Sequence, residues 1–251
     1  MDIPYDRYSI DLNIDLALQR QYYTWLSQDE CDRVRRLLNP QHQRDFIAAR
    51  GALRWHLAQY LNCDPKAVKF EYGPHGKPTL THAIDLHFNL AHSHQRALIV
   101  VCPAAAIGVD LEKIRPIPKL LALTKRFFNP SEYETITSQP EVLQPIYFYT
   151  YWTCKEAYLK ATGTGLSQIS QLELQIDQTQ VNLLKTPCHR RFTLTRLSHP
   201  EIIQSESFKE SFKESFNKSL NESPSNNPRI DDFIGAVAIE TIEHQSKSIS
   251  I

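Results

Sequence analysis

The segment IGVDLE at residues 107–112 alternates apolar residues with glycine and acidic residues. A period of two is typical of a β-strand, and it sends the three apolar side chains to one face, where they can enter a core. Gly108, Asp110 and Glu112 then share the opposite face, so two carboxylates stand side by side with a glycine that leaves room in front of them. We therefore interpret this segment as a strand with one apolar face and one acidic face.

Two interpretations of the acidic face remain open. Neighbouring carboxylates repel each other unless a cation or a basic group lies between them, and a hard divalent ion such as Mg²⁺ suits paired carboxylates. The alternative is a solvated strand face on which Lys113 and Arg115 act as counter-charges. Taken alone, the pair favours the solvated face, because exposed acids are common.

The surrounding chain reads as mixed helix and strand. Apolar side chains at helical spacing predict two long helices, Gln41–Leu61 and Ile146–Ala161. Alternation predicts a first strand over Tyr8–Leu16, and each half of the chain reads as strand, helices, long helix and further strands. This weak duplication indicates an α/β (α+β) protein of two similar lobes packed together, residues 1–105 and 106–251.

Composition narrows the functional class. The 251 residues carry 28 Lys and Arg against 28 Asp and Glu, and this neutrality disfavours nucleic acid as a partner. Only seven glycines occur, with no G-x-G-x-x-G pattern, which argues against a protein that binds nucleotides through a glycine-rich loop. Five scattered cysteines without a C-x-x-C pair indicate a reducing compartment. With no signal peptide and no apolar run long enough to span a bilayer, we expect a cytoplasmic protein with no membrane partner.

One segment is low in complexity. Residues 204–228 repeat Ser, Phe, Lys and Glu with a four-residue period between Ser- and Asn-rich flanks. Such a composition favours a disordered insertion over a stable helix, and we expect it to carry no chemistry.

The second long helix holds a charged pair. Glu156 lies in an aromatic stripe with Tyr149 and Trp152, where a carboxylate is costly unless it is paired or ligated. Lys160 follows one turn later. A simple helix-supporting Glu–Lys pair is the alternative, and the apolar neighbours of Glu156 make it less satisfactory.

The first long helix offers basic residues. Arg50 lies within its apolar stripe, where a buried guanidinium requires an anion and suits a phosphate. An internal salt bridge with Asp45 or Asp85 explains Arg50 equally well. Arg44 adds positive charge elsewhere on the helix.

Two loops complete the set of candidate features. The GKP turn at residues 76–78 places Lys77 on a rigid turn, and FNLAHS at residues 88–93 places His92 and Ser93 at a strand end. Either feature alone is more typical of a surface loop than of a site.

Together and in this order, these motifs resemble the Sfp-type 4′-phosphopantetheinyl transferases. The resemblance spans about residues 40–240 and rests on GKP (76–78), FNLAHS (88–93), GVDLEK (108–113), RFF (126–128) with Glu132, and WTCKEAYLK (152–160) followed by Gly163 and GL at 165–166. It implies two pseudo-symmetric α/β lobes, each a small sheet packed on a long helix, with the active site in the cleft between them. It also implies a monomeric enzyme that transfers the 4′-phosphopantetheine arm of coenzyme A (CoA) to a serine of an apo acyl, polyketide or peptidyl carrier protein. The other product is adenosine 3′,5′-bisphosphate.

The resemblance also assigns residue roles. It implies that Asp110, Glu112 and Glu156 bind Mg²⁺, with Glu156 as general base and Lys160 as the second catalytic residue. The implied CoA contacts are Arg44, Arg50, Lys77, His92, Ser93, Asp110, Lys155 and Lys160. Ala91 stands where the family often has a serine whose hydroxyl contacts the CoA diphosphate. Either Ser93 or a backbone amide replaces this contact, or the affinity for CoA is lower.

A docking surface for an acidic carrier is expected just after the acidic strand. Its candidate residues are Lys119, Lys125, Arg126, Phe127 and Phe128. Core packing of the phenylalanines and a solvated face for the basic residues explain this segment equally well. Two rival functions use the same residues: a Mg²⁺-dependent phosphodiesterase or nuclease, and a non-catalytic module that binds CoA or carrier protein. Hydrolysis of CoA or DNA without an acceptor would favour the first, and CoA binding without turnover would favour the second.

Overall fold

A computed structural model of the chain describes residues 3–81, 85–177, 180–197 and 233–241. The low-complexity segment 204–228, expected to be disordered, lies outside these ranges. No helix within them combines the length and the apolar content needed to cross a bilayer.

The first half of the chain is built around one long helix. The elements in chain order are β1 (Asp6–Asp11), α1 (Leu16–Trp25), α2 (Gln28–Arg36), α3 (Pro40–Leu61), β2 (Phe70–Tyr72), β3 (Pro78–Leu80), β4 (His87–Ser93) and β5 (Arg96–Cys102). The sheet has the order β1-β5-β4 and is antiparallel, and β2 and β3 form a separate hairpin. Its core joins the buried face of α3, including Leu53 and Leu57, to the inner face of the sheet.

The second half repeats this plan on a larger scale. Its elements are β6 (Ile107–Lys113), α4 (Leu120–Phe127), α5 (Pro130–Thr137), α6 (Gln144–Thr162), β7 (Glu173–Ile176), β8 (Val181–Lys185), β9 (Phe192–Leu197) and β10 (Phe233–Glu240). Five strands form one sheet in the order β6-β10-β9-β8-β7, so β6 is an edge strand. The core of this half surrounds α6, with Tyr158 and Cys154 fully buried.

The predicted α/β class and the two long helices are confirmed, with α3 and α6 each within two residues of the expected bounds. The predicted strand over Tyr8–Leu16 is too long. It ends at Asp11, and Leu16 instead begins α1, where Asp15 caps the helix by accepting a 2.8 Å hydrogen bond from the Leu18 amide. The cap outweighs the alternating pattern at this point.

The two halves meet along β6. A core cluster shared by both sheets combines residues of β4 and β5 with residues of β6 and β10, including Leu98, Val100, Val109 and Val237. Side chains of β4 also reach the β6 backbone, because Asn89 Oδ1 accepts a 2.9 Å hydrogen bond from the Val109 amide. The edge strand of the larger sheet is therefore anchored to the smaller lobe by a buried amide side chain.

Candidate active site

The β6 strand has the alternation that the sequence predicts. Ile107, Val109 and Leu111 are at most 1% exposed and belong to the core cluster between the sheets. Gly108 and Asp110 face α6 on the other side. The acidic face is therefore covered by a helix, which excludes a fully solvated strand face.

Gly108 serves the packing of that helix. A Cβ at this position would lie 2.2 Å from the Ala157 carbonyl oxygen and 2.3 Å from the Ala161 nitrogen. Such distances are far inside van der Waals contact, so only glycine lets the backbones of β6 and α6 approach this closely. The room that the sequence suggested for a ligand is occupied by α6.

An ion pair joins the strand to the helix. Lys160 Nζ donates a 2.6 Å hydrogen bond to Asp110 Oδ1, with the two side chains 31% and 7% exposed. Burial raises the pKa of the Asp110 carboxyl, although Lys160 opposes the shift. Burial would lower the pKa of Lys160, but the adjacent Asp110 carboxylate outweighs it and the pKa is raised. Asp110 Oδ2 is buried and has no hydrogen-bond partner among the described residues.

Glu112 and Glu156 belong to the same electrostatic cluster. Burial raises the pKa of Glu112, with a further contribution from Asp110, and its Oε2 accepts a 3.0 Å hydrogen bond from Ser93 Oγ. Burial and then Asp110 raise the pKa of Glu156 to about 7. Asp110 thus acts on both glutamates, and Glu112 also raises the pKa of Glu156, as expected for neighbouring carboxylates.

The donor chemistry of this cluster fits a hard divalent cation. Carboxylate oxygens are the donors that Mg²⁺ prefers, and Asp110 Oδ2 is left without a partner. However, Lys160 already contacts the other oxygen of Asp110. Within the described ranges, no three His, Cys, Asp or Glu side chains are arranged as they would be around a metal ion. The carboxylate oxygens that Mg²⁺ prefers are therefore present, but Asp110 is held in an ion pair with Lys160.

A cavity of about 400 Å³ opens beside the cluster. It lies between the first-lobe turn before β3 and the last turns of α6. Its lining residues are His75, Gly76, Lys77, Pro78, Asn89, Leu90, Glu156, Leu159, Lys160, Gly163, Gly165 and Leu166. Three stretches that are far apart in the sequence, residues 75–78, 89–90 and 156–166, thus share one cleft.

The predicted CoA contacts of the first lobe occupy different environments. His92 is exposed and lies within electrostatic range of Lys160 and Asp110. Ser93 is buried; besides donating to Glu112, its Oγ accepts a 3.1 Å hydrogen bond from the Lys113 amide. Ser93 therefore holds Glu112, and its hydroxyl is engaged by the protein itself.

Lys77 is engaged as well. Its Nζ donates to the Ile107 carbonyl at 3.2 Å and to the Ala161 carbonyl at 3.1 Å. Burial, followed by the charge of Arg190, lowers the pKa of Lys77 to about 8. The side chain lies in the cleft as expected, with two of its three N–H bonds directed at backbone oxygens.

The two arginines of α3 differ. Arg50 Nε lies 2.9 Å from Glu30 Oε1, and its guanidinium also donates to the Tyr72 hydroxyl. The internal salt bridge that the sequence left open is thus present, although its acid is Glu30 of α2. Arg44 is exposed and donates a 2.7 Å hydrogen bond to Gln41, so its charge is available to an anion.

Lys155 lies apart from the cleft. Its Nζ is fully buried, 2.6 Å from Glu132 Oε2, and it also donates to the Leu172 and Ile169 carbonyls. On a helix, adjacent residues point in different directions, so Lys155 is turned into the core while Glu156 reaches the cleft. The contact expected between Lys155 and CoA is incompatible with this placement, and the side chain instead holds together α5, α6 and the start of β7.

The structural roles of three residues in this region were not predicted from the sequence, although Asn89 and Glu132 belong to the motifs that carry the family resemblance. Asn89, Glu30 and Glu132 are all buried and all hold other elements in place. The signal for Asn89 was available, because an amide inside a buried strand needs a hydrogen-bond partner. Glu30 and Glu132 each lie at the third position of a helix and form capping boxes with Ser27 and Asn129, which sequence spacing alone could have suggested.

Carboxylates and a lysine beside a cavity are suited to chemistry at phosphate groups, where a bound cation and an ammonium stabilise negative charge. Comparisons with known proteins define the class further: residues 106–210 match the 4′-phosphopantetheinyl transferase superfamily. The chain is 45% identical over 164 residues to 4′-phosphopantetheinyl transferase HetI of Nostoc sp., covering 64% of this chain and 69% of that protein.

Two further relatives come from bacilli. The chain is 37% identical to 4′-phosphopantetheinyl transferase psf-1 of Bacillus pumilus, over 49% of this chain and 52% of the relative. It is 29% identical to 4′-phosphopantetheinyl transferase Sfp of Bacillus subtilis, over 59% of this chain and 64% of the relative. The chain belongs to the 4′-phosphopantetheinyl transferase family, and the resemblance drawn from its motifs is confirmed. Neither the phosphodiesterase nor the non-catalytic alternative is favoured by these relatives.

Proposed function

We propose that the chain moves the 4′-phosphopantetheine arm of CoA onto a serine hydroxyl of an apo carrier protein, in the cleft between α6 and the turn before β3. The observation that carries this assignment of the site is the meeting of Glu156, Lys160 and Asp110, from a helix and a distant strand, beside a cavity of about 400 Å³. In the reaction the serine oxygen bonds to the phosphorus that carries the pantetheine arm. The bond between that phosphorus and the bridging diphosphate oxygen breaks, and adenosine 3′,5′-bisphosphate leaves.

Asp110, Glu112 and Glu156 are the residues that would hold Mg²⁺, which when bound withdraws charge from the phosphoryl oxygens of CoA. Support for this comes from the unpartnered Asp110 Oδ2 and from the mutual influence of the three carboxylates. Ser93 orients Glu112 by donating to its Oε2. Asn89 fixes the β6 backbone at Val109, directly before Asp110, by accepting a hydrogen bond from the Val109 amide.

Glu156 is the general base in this proposal and receives the proton of the serine hydroxyl. It lines the cavity, and its pKa lies closer to neutrality than that of an ordinary carboxyl. Lys160 lines the same cavity and places an ammonium where negative charge builds on the leaving bisphosphate. Much of the remaining acceleration comes from holding the serine and the phosphorus in line.

The adenosine end of CoA carries a 3′-phosphate, for which exposed His92 and exposed Arg44 are the proposed contacts. Arg50 is already paired with Glu30, so in this proposal it supports the site without contacting the 3′-phosphate itself. We also propose that the protein works as a monomer in the cytoplasm, in keeping with five cysteines that form no disulfide.

The direct test mixes the protein with Mg²⁺, CoA and an apo carrier protein and reads the intact mass of the carrier. We expect a gain of one phosphopantetheine group, which disappears when the metal is chelated. CoA hydrolysis at the same rate without a carrier would contradict the proposal and support a phosphodiesterase. CoA binding with no mass change on any apo carrier would support a binding module.

A further inference from the structure

Lys77 joins the two elements that carry the reactive side chains. It lies on the turn between β2 and β3, and its ammonium donates to the carbonyls of Ile107 and Ala161. Ile107 is the first residue of β6, and Ala161 is the penultimate residue of α6. One side chain of the first lobe therefore ties two elements of the second lobe to each other.

The Ala161 carbonyl is one that the helix cannot satisfy by itself. The last four carbonyls of a helix lack intrahelical donors, and the C-terminal end carries a partial negative charge. Gly163, in the left-handed conformation with φ of 74°, donates to the Leu159 carbonyl and closes the helix there. The Lys77 ammonium satisfies Ala161, and its positive charge is favourable at this end of α6.

Such a tie acts directly on the geometry of the cleft. Gly108 lets β6 and α6 touch without an intervening side chain, so small shifts of α6 change the relation between Asp110 and Lys160 at once. Lys160 is the neighbour of Ala161 in the chain. Fixing Ala161 against Ile107 therefore fixes the base of the Lys160 side chain.

We propose that Lys77 is a positioning residue that clamps the last turn of α6 against the start of β6, and that it is not a ligand of the CoA diphosphate. The proposal rests on the proposed function in taking Asp110, Glu156 and Lys160 as the groups being positioned. The competing view is that the third N–H of Lys77 reaches a phosphate, because the side chain lines the same cavity. The two views differ in what the loss of the ammonium changes.

The experiment compares the wild type with Lys77→Met and with a matched control, Lys66→Met, which removes an exposed lysine of the same lobe. Three quantities are measured: the CoA Kd by calorimetry at two salt concentrations, kcat and KM with an apo carrier, and amide hydrogen exchange of the last turn of α6. Lys77→Gln, which keeps an uncharged N–H donor, supplies the same readouts if the methionine variant does not fold.

If Lys77 is a clamp, we expect the CoA Kd of Lys77→Met to stay within about twofold of wild type. Its salt dependence should not change, because the wild type has no salt-screened contact between Lys77 and a CoA phosphate to lose. We expect kcat to fall by about tenfold or more, since misplacement of reacting groups by about 1 Å costs up to about 10² in rate. Amide exchange at residues 159–162 should accelerate by about tenfold or more, with Lys66→Met like wild type.

A tenfold or larger rise in the CoA Kd, with weaker salt dependence, would overturn the proposal, because that is the signature of a lost phosphate contact. Unchanged exchange at the end of α6 would overturn it too. Failure of the wild type to modify any apo carrier would refute the proposed function, and the exchange measurement would still decide whether Lys77 holds α6.

Discussion

Lys160 Nζ lies 2.6 Å from Asp110 Oδ1, and this ion pair ties the long helix of the second lobe to the edge strand of its sheet. The two residues are 50 positions apart in the chain. The pair leaves Asp110 Oδ2 buried without a partner and leaves Lys160 about one-third exposed toward the cleft. The ion pair therefore orients both side chains and still leaves one oxygen of Asp110 and part of Lys160 available to a ligand.

The first prediction concerns the proposed base. We expect Glu156→Gln to lower kcat by about 10²–10⁴-fold, because the amide is nearly isosteric and cannot accept the serine proton. The loss should exceed that of Lys77→Ala, and exposed Glu71→Gln serves as the control. Rates are read from the carrier mass over time. Equal rates for Glu156→Gln and Lys77→Ala would show that the base has been misassigned.

The second prediction concerns the contact between β6 and α6. Gly108→Ala should lower the free energy of unfolding by about 1–3 kcal/mol or more, because its Cβ would meet the backbone of α6 at 2.2 Å. Gly73→Ala is the matched control, since its Cβ would meet only the Lys77 carbonyl, at 3.7 Å. Urea denaturation measures both. Equal stability of the two variants would mean that the helix can move away from the strand without cost.

The third prediction separates Lys155 from the CoA site. Lys155→Met should reduce stability by about 3–5 kcal/mol, because it leaves the buried Glu132 carboxylate without its cation. Adding Glu132→Gln should restore part of the loss, since the amide oxygen can still accept from the Leu174 amide. The CoA Kd of the folded protein should stay near the wild-type value. A tenfold weaker Kd at full stability would instead place Lys155 at the ligand.

The fourth prediction is a pH dependence of stability. Burial lowers the pKa of His56 to about 3, and its ring stacks on Tyr8 with centroids 3.9 Å apart. In the unfolded chain His56 is protonated near pH 6.5, whereas in the folded chain it stays neutral until about pH 3. The free energy of unfolding therefore falls as the pH drops from 6.5 toward 3. Between pH 6.5 and 4.5 the loss is about 2–3 kcal/mol.

His56→Phe keeps a ring at this position and removes the titration. We expect the stability of the variant to fall by about 2–3 kcal/mol less than that of wild type between pH 7.5 and 4.5, as measured by urea denaturation at each pH. Parallel pH profiles for the two proteins would show that the imidazole remains free to protonate in the fold.

The fifth prediction tests the carrier-docking surface after β6. Lys125 and Arg126 are exposed on α4, whereas Phe128 is 6% exposed and packs in the core, and Phe127 packs edge-on against Trp152. If the two basic side chains steer an acidic carrier, raised salt should increase the carrier KM several-fold in the wild type. Lys125→Glu should raise KM at low salt, while Lys185→Glu on the exposed face of β8 should not. A KM that does not vary with salt would argue against this surface.

The local patterns that the sequence predicts are those governed by neighbouring residues. The period of two in residues 107–112 defined a strand and its two faces, and helical spacing defined α3 and α6 to within two residues. The motifs in their order also indicated the family, because each short motif places particular chemical groups at particular points of a fold. The strand predicted over Tyr8–Leu16 is too long at its end, because Asp15 caps α1 and the chain becomes helical from Leu16.

The sequence by itself therefore determined the alternation of helices and strands, the two long helices and, through its motifs, the family. Only the tertiary structure decided what each charged side chain touches: Arg50 pairs with Glu30, Lys155 with Glu132, Lys160 with Asp110, and Lys77 with two backbone carbonyls. The physical reason is that a buried charge takes whichever partner the packing of distant elements brings within about 3 Å, and that choice is absent from local spacing.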